Sequence, residues 1–327
     1  MKAISLFSGG LDSQLAAYLI KQQGIEVIAI TFTTPFFGGD DRNAAAAEKL
    51  GIEFLRIALG QEYKDVLQHP VYGYGKNMNP CIDCHAFMLK KARELMGSMG
   101  ASFLVTGEVL GQRPMSQNKS ALNAVDKLSG CKGLIVRPLS ARLLPITIPE
   151  QEKWIDRERL LDISGRGRTR QMELANKFGI EDYPTPAGGC LLTEQNFANR
   201  LKLYLQKNPD AQLDSLQVLK YGRHFYLDDR TLLLVGRNKA DNLKLLELAN
   251  SGDYLIKVIN YPGPVGLIPA PDTVDKELLR NAGAIVARYS DANKETLATV
   301  KISRQDNPFE QIFEVAPLPP EEVIPAI

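Results

Sequence analysis

Long apolar stretches are missing from this sequence. Runs such as the one from Val27 to Ile30 fall far short of the roughly 18 to 20 residues that span a bilayer, so an integral membrane protein is not expected. An excess of either charge is missing as well: 39 Lys and Arg against 38 Asp and Glu leave a formal charge of +1. A nucleic-acid partner would therefore have to use a local patch rather than a global basic field. Cysteine is scarce, at 4 in 327 residues, which is too few for a disulfide scaffold and gives weight to spacing instead. The start reaches Ser8-Gly9-Gly10 before an apolar core of about 7 to 15 residues can form, so no secretory signal is read there and a cytoplasmic location is expected. What remains, 44% hydrophobic and 24% charged residues, is ordinary globular composition. At roughly 150 residues per domain the chain should hold about two domains, and disorder, collagen and coiled coil are excluded.

The first third alternates short apolar runs with amphipathic stretches: Ala3 to Phe7, Leu11 to Lys21, Val27 to Phe32, Arg42 to Leu50 and Phe54 to Ile57. That pattern predicts strand, helix, strand, helix, strand, in an α/β unit with a Rossmann-like parallel sheet. A helix from His85 to Met96 and a strand from Phe103 to Thr106 extend it. Ligands of such sheets sit at the carboxyl ends of strands, so the turns after Phe7, Phe32 and Thr106 should converge on one site. Glu150 to Phe178, rich in arginine, reads as the helical end of the first domain. Tyr183 to Cys190 reads as a rigid Pro and Gly loop, and Glu194 to Leu205 as an exit helix. After Asn208-Pro209 come short strands, Phe225 to Leu227 and Thr231 to Val235, then a helix near Leu243 to Ala249. The division expected is therefore 1–206 for the first domain and 207–327 for a second, smaller α+β domain. Pro317 to Ile327 reads as a loose tail.

Ser8-Gly9-Gly10-Leu11-Asp12-Ser13 follows a predicted strand and opens a predicted helix, where bare N–H groups and the positive helix end favour an anion. The loop lacks the Gly-Lys-Ser/Thr ending of the Walker loop. It resembles the SGGxDS (PP-loop) motif of the ATP pyrophosphatases, which adenylate a substrate oxygen and release pyrophosphate. The resemblance implies that Ser8, Gly9, Gly10 and Ser13 hold phosphate of ATP and that Asp12 helps hold Mg2+. At the end of the second strand, Phe32 and Thr33 are candidates for the adenine pocket, although the Phe32 ring reads better as core.

Cys81 and Cys84, three positions apart, can reach one metal or cluster, and Cys190 beside Gly188-Gly189 can add a third thiolate. Three thiolates could hold a [4Fe-4S] cluster with one open iron, or zinc with a fourth ligand. A catalytic disulfide or persulfide pair is the other reading of the same residues. Cys131 has no partner by spacing and reads as a free thiol, or as a fourth zinc ligand. His85 reads as the cap of its helix, and His69 and His224 as structural.

Thr106-Gly107-Glu108-Val109-Leu110-Gly111-Gln112 with Ser116-Gln117 looks like the TGxxLGQxxSQ loop of the tRNA 4-thiouridine synthetases, and Val136-Arg137-Pro138-Leu139 is similar to the step that follows it. The resemblance covers roughly residues 1 to 180 and adds Gly107 and Gln112 to the nucleotide site. Cys81, Cys84 and Cys190 are similar to the triplet that holds a [4Fe-4S] cluster in iron–sulfur tRNA thiolation enzymes. The N-terminal THUMP region and the rhodanese domain of longer relatives are not read here. Lys220 to Phe225 and Val235 to Asn238 with Asn242 resemble the RNA-binding module of the NFACT proteins. There Arg223 and Arg237 would bind phosphate, and Tyr221 or Phe225 would stack.

The resemblance implies ATP-dependent thiolation of a tRNA uridine, position 4 favoured over position 2. Asp12, Cys81, Cys84 and Cys190 would be its catalytic residues, and the sulfur would come from free sulfide or a sulfur-carrying protein. The Arg157 to Arg170 stretch would hold the RNA backbone, and a homodimer is compatible with this reading. The alternatives are a small-molecule enzyme of the deazaguanine nitrile synthase kind with structural zinc, and a non-catalytic RNA-binding protein.

Overall fold

The computed structural model describes residues 1–39, 41–184, 189–269, 273–304, 306 and 308–323. The chain divides into two compact units, Met1–Glu194 and Gln195–Ile327.

The first unit runs β1 (Lys2–Leu6), α1 (Leu11–Lys21), β2 (Glu26–Thr33), α2 (Arg42–Lys49), β3 (Glu53–Ala58), α3 (Glu62–Gln68), α4 (Cys81–Met99), β4 (Ala101–Thr106), α5 (Lys119–Leu128), β5 (Ile135–Val136), α6 (Ile148–Gln151) and α7 (Thr169–Phe178). Its five strands lie in the order β3-β2-β1-β4-β5, and every pairing is parallel. The order reverses between β1 and β4, the place where such a sheet opens a crevice at its carboxyl edge.

Alternation along the strands fixes the two faces. Ala3, Phe7, Val27, Ala29, Phe103 and Val105 form one buried cluster with Ala16, Ala17 and Ile20 of α1 and Ala46 and Ala47 of α2. α4 packs on β1 and β4. α1 is covered on its other side too, where Leu11, Leu15 and Leu19 meet Ala175 of α7 and Ile180. A helix apolar nearly all round is thus a buried one.

Several elements depart from the expectation. α4 begins at Cys81, with Pro80 in its capping position, so both thiols of the close pair lie in its first turn and His85 caps nothing. Glu150 to Phe178 is not one helix. Glu150 closes a capping box with Thr147 on the four-residue α6, Gly165 sits at φ +85, and regular helix resumes only at Thr169. α5 is capped by Asn118, whose side chain accepts the Ala121 N–H at 2.8 Å.

The second unit runs α8 (Gln195–Lys207), β6 (Arg223–Tyr226), β7 (Leu232–Val235), α9 (Lys239–Leu248), β8 (Tyr254–Val258), β9 (Gly266–Ile268), α10 (Lys276–Arg288), β10 (Ala298–Arg304) and β11 (Glu310–Val315). Its six strands are antiparallel in the order β11-β10-β8-β9-β7-β6. Leu279, Ala282, Ile285 and Val286 of α10 close its core. α8, expected at the end of the first domain, groups with this unit, where it packs on the 3-10 turn Asp214–Lys220. The expected tail is described as far as Val323 and carries a 3-10 turn at Pro320–Glu322; its last four residues lie outside the described set. Among the described residues no helix is long and apolar enough to cross a membrane.

Candidate active site

The turn after β1 is shaped by two close approaches. Gly9 has φ +69, and a Cβ there would lie 2.3 Å from Asn43 Oδ1. A Cβ on Gly107, after β4, would lie 2.6 Å from the Asp12 carbonyl carbon and the Ser13 nitrogen. Side chains then lock the turn from inside. Ser13 Oγ donates to the Gly10 carbonyl at 2.9 Å and accepts the Ser8 N–H at 3.3 Å, while Gln14 Nε2 donates to the Gly9 carbonyl at 2.7 Å. Gly10 caps α1 with extended backbone and no side-chain cap bond. Uncapped first-turn N–H groups at a positive helix end favour a phosphate.

Asp12 is held on one side only. Gln112 Nε2 donates to its Oδ2 at 2.7 Å, and Gln171 Nε2 donates in turn to Gln112 Oε1 at 3.0 Å. Among the described residues Asp12 Oδ1 is buried with no hydrogen-bond partner. A carboxylate oxygen left without a partner beside uncapped helix N–H groups fits a divalent cation carried by an anion.

Glu108 connects this turn to the cysteine helix. It is 4% exposed and receives Arg137 Nε at 2.8 Å and the Thr106 hydroxyl at 3.1 Å, and it bonds His85 Nδ1 at 3.0 Å. Burial opposes its charge, but the Arg137 guanidinium outweighs burial with help from His85, holding the carboxyl down at about 2. Arg137 is completed by Asp126 Oδ1 at 2.7 Å. His85, read from the sequence as a cap, is thus an imidazole fixed through Nδ1 by a buried carboxylate.

The three thiols are brought within electrostatic reach of one another. Burial pushes Cys84 up to about 12 against the Tyr63 hydrogen bond, and Cys190 and Cys81 raise it further. Burial likewise pushes Cys190 up to about 11, with Cys81 adding to it. The expected metal site is not assembled: among the described residues no three His, Cys, Asp or Glu side chains gather as a ligand set. Two of the sulfurs accept a hydrogen bond, Cys84 from the Tyr63 hydroxyl at 3.3 Å and Cys81 from the Asn79 amide at 3.2 Å. Cys131 lies apart, fully buried, with its sulfur toward the carbonyls of Ser129 and Leu89. Gly188 lies outside the described residues.

Phe32 is 4% exposed, so its ring is core, and Gly38 approaches its carbonyl, where a Cβ would stand 2.2 Å away. Thr33 ends β2 half-buried at the same edge. In the arginine stretch, Arg157 pairs with Glu150, Arg159 donates to the Gln22 carbonyl at 2.6 Å and Arg170 to Asp162 at 2.8 Å, which leaves less of it for a ligand than expected. In the second unit Phe225 is fully buried and is no stacking platform, because it belongs to the core under α10. Arg223 lies 4.7 Å from the Tyr289 ring centre, and Arg237 pairs with Asp241 at 2.6 Å. Asn43, Gln14, Glu108, His85 and Tyr63 went unread as site residues. Of these, Glu108 alone stood inside a recognised motif.

Compared with known proteins, residues 1–142 match the family described as thiamine biosynthesis protein (ThiI), and residues 222–326 match the NFACT protein RNA binding domain. The chain is 28% identical over 222 residues to a tRNA-specific 2-thiouridylase MnmA of Thiobacillus denitrificans, covering 62% of this chain and 58% of that protein. To the MnmA of Malacoplasma penetrans it is 24% identical over 323 residues, covering 88% and 80%. A crystal structure of a 4-thiouridine synthetase–RNA complex with bound ATP is similar at TM-score 0.41 and 19% identity, covering 59% of this chain and 46% of that one. The chain thus spans little more than half the length of the first of these relatives.

Proposed function

We propose that the chain is an ATP-dependent tRNA sulfurtransferase. The observation that carries this reading is one continuous set of contacts. It runs from the phosphate turn through Gly107 and Glu108 to His85, the residue after Cys84. Nucleotide and thiol chemistry then share one edge of one sheet. The match of residues 1–142 to the ThiI family and the tRNA thiolases among the relatives support it.

In the proposed reaction ATP lies over Ser8, Gly9, Gly10 and Ser13, with Gly107 and Gln112 fixing the turn from the neighbouring strand. A uridine carbonyl oxygen attacks the α-phosphorus: the O–P bond forms, the bond to the β-phosphate bridge breaks, and pyrophosphate leaves as the ring N–H gives up its proton. The residues place and neutralise charge rather than react. Mg2+ held by Asp12 would supply charge neutralisation at the phosphates. Sulfur from free sulfide or a sulfur-carrying protein then attacks the activated carbon, the C–O bond breaks and AMP leaves. Where it arrives as a persulfide on one thiol of Cys81, Cys84 and Cys190, a second thiol displaces it, and a dithiol reductant reopens the resulting disulfide. No step is derived through an iron–sulfur cluster or zinc, because the thiols as placed do not form a ligand set.

The loop from Thr106 to Gln117 favours position 4 of the base. A second reading, position 2, is favoured by the 2-thiouridylases among the relatives. The RNA-binding family match of residues 222–326 supports tRNA as the substrate. The test is tRNA-dependent pyrophosphate release, followed by nucleoside mass and ultraviolet analysis after sulfide is added. Release and 4-thiouridine are expected. Release that needs no RNA would favour the small-molecule enzyme, and RNA binding without release a non-catalytic protein. Iron and acid-labile sulfide on protein purified without oxygen complete the test. About four irons per chain, lost in Cys190→Ala, would restore the cluster.

A further inference from the structure

Between α3 and α4 the chain runs Pro70-Val71-Tyr72-Gly73-Tyr74-Gly75-Lys76-Asn77-Met78-Asn79, and its apolar side chains face outward: Val71 is 73%, Tyr72 46% and Tyr74 41% exposed. Such exposure on a loose loop would mean little. This loop is tied down along its length. Asp83, buried in the first turn of α4 and next to Cys84 in sequence, accepts the N–H of Val71 at 2.6 Å and of Tyr72 at 3.1 Å. The Tyr74 hydroxyl donates to the Leu67 carbonyl at 2.7 Å, and the Gly75 N–H donates to the Asn79 carbonyl at 2.9 Å. Asn77 Nδ2 reaches the Thr193 carbonyl, three residues beyond Cys190, at 2.7 Å. The backbone is ordered by polar bonds while the rings contribute little to a core.

We propose that this loop is a stacking subsite for an unpaired base of the RNA substrate, with Tyr72 as its principal face and Tyr74 beside it. The proposal rests on the thiolation reading above. An aromatic face offers a flat surface to any base, and a ring on an already ordered loop binds with less entropic cost than one that must be immobilised. Position supports an RNA occupant: the loop is tied at one end to Asp83, whose charge acts on Cys84, and at the other to Thr193, three residues beyond Cys190, so it belongs to the part of the unit that holds the thiols. Charge agrees, since Lys76 is exposed in the loop and the exposed Arg113 exerts its charge on Cys190. Both suit the phosphates that flank a base.

The experiment compares wild type with Tyr72→Ala, Tyr72→Phe and Tyr72→Trp for Kd toward a tRNA transcript, KM for tRNA, KM for ATP and melting temperature. Tyr72→Ala should raise Kd and KM for tRNA about tenfold to a hundredfold, the range of one base–aromatic stack. KM for ATP and melting temperature should not move, and the Phe and Trp variants should behave as wild type. Equal tRNA affinity in wild type and Tyr72→Ala would overturn the subsite. An equal loss in Tyr72→Phe would overturn it too, by assigning the effect to the hydroxyl. Slowed delivery from a sulfur-donor protein with unchanged tRNA affinity would make the loop a protein-docking surface. A wild type that binds tRNA but forms no thionucleoside would instead defeat the thiolation reading, while the affinity comparison still decided the subsite.

Discussion

The phosphate turn and the thiol group lie in the same unit, yet they are prepared to different degrees. The turn is finished: Gly9 and Gly107 admit close backbone approach, Ser13 and Gln14 lock the carbonyls, and the first-turn N–H groups of α1 are left uncapped. The thiols are gathered but not activated. Cys84 and Cys190 are pushed up to about 12 and about 11 by burial, and each free sulfur is turned to a neutral neighbour or to backbone. Anion binding needs only fixed dipoles, which a folded chain supplies by itself. Sulfur transfer needs a thiolate or persulfide, and therefore an event that the resting site does not supply.

The contrast breaks most sharply at Asp12. Asp12→Ala should lower tRNA-dependent pyrophosphate release at least about a hundredfold with little change in melting temperature, as expected when a charge-neutralising group is removed. Retained release would detach the turn from the chemistry. Cys84→Ser should separate the halves: thionucleoside formation should fall below detection, while pyrophosphate release stays within about threefold of wild type, a small change on the free-energy scale. If both activities fell together, the thiols would belong to the nucleotide step.

The turn proposed for phosphate stands out in the sequence because its pattern is local. Ser8 to Ser13 lies between a strand and a helix and is six neighbours in sequence, although Asn43 and Gly107, which approach it closely, come from far along the chain. Strands β1 to β4, β6 and β7 were legible because apolar runs mark them within a few residues, whereas β5 and β8 to β11 went unread. The linking half was not legible. His85 looked like a cap because the helix was expected to start there, and only the start at Cys81 turns its ring toward Glu108. The helix over Glu150 to Phe178 failed because Glu150 closes a capping box and Gly165 takes a positive φ, choices that override an amphipathic pattern. Sequence spacing suggested that the three thiols could meet. It could not show the burial that pushes Cys84 and Cys190 up, nor the Tyr63 hydroxyl that donates to Cys84.

Glu108 sets the join between the halves. Glu108→Gln leaves Arg137 and Asp126 with a neutral partner in a dry site, and the expected loss is about 3 to 5 kcal/mol of stability by denaturant unfolding. The pH dependence has a definite sign. A carboxyl held at about 2 instead of its usual 4.5 stabilises the fold fully above 4.5, and that stabilisation is lost as pH falls toward 2. The difference is about 3 kcal/mol at 1.36 kcal/mol per unit. The variant should therefore show a flatter acid limb than wild type. Identical limbs would mean that the buried pair carries no net charge preference.

Cys131 gives the smallest effect and tests the membership of the thiol group. It is fully buried, and the charges that act on its thiol come from Arg93 and Asp126 rather than from Cys81, Cys84 or Cys190. Its sulfur approaches the carbonyls of Ser129 and Leu89, in the half of the unit where α4 meets the turn after α5. Cys131→Ala removes one buried atom from that packing, which should cost about 1 kcal/mol of stability. Thiolation rate should stay within about twofold of wild type, because nothing in the contacts of Cys131 reaches the other three thiols. A loss of thiolation comparable to that of Cys84→Ser would place a fourth thiol in the sulfur chemistry. It would also shift the contrast with the phosphate turn, since the sulfur half would then reach the turn after α5 as well as the first turn of α4 and Cys190.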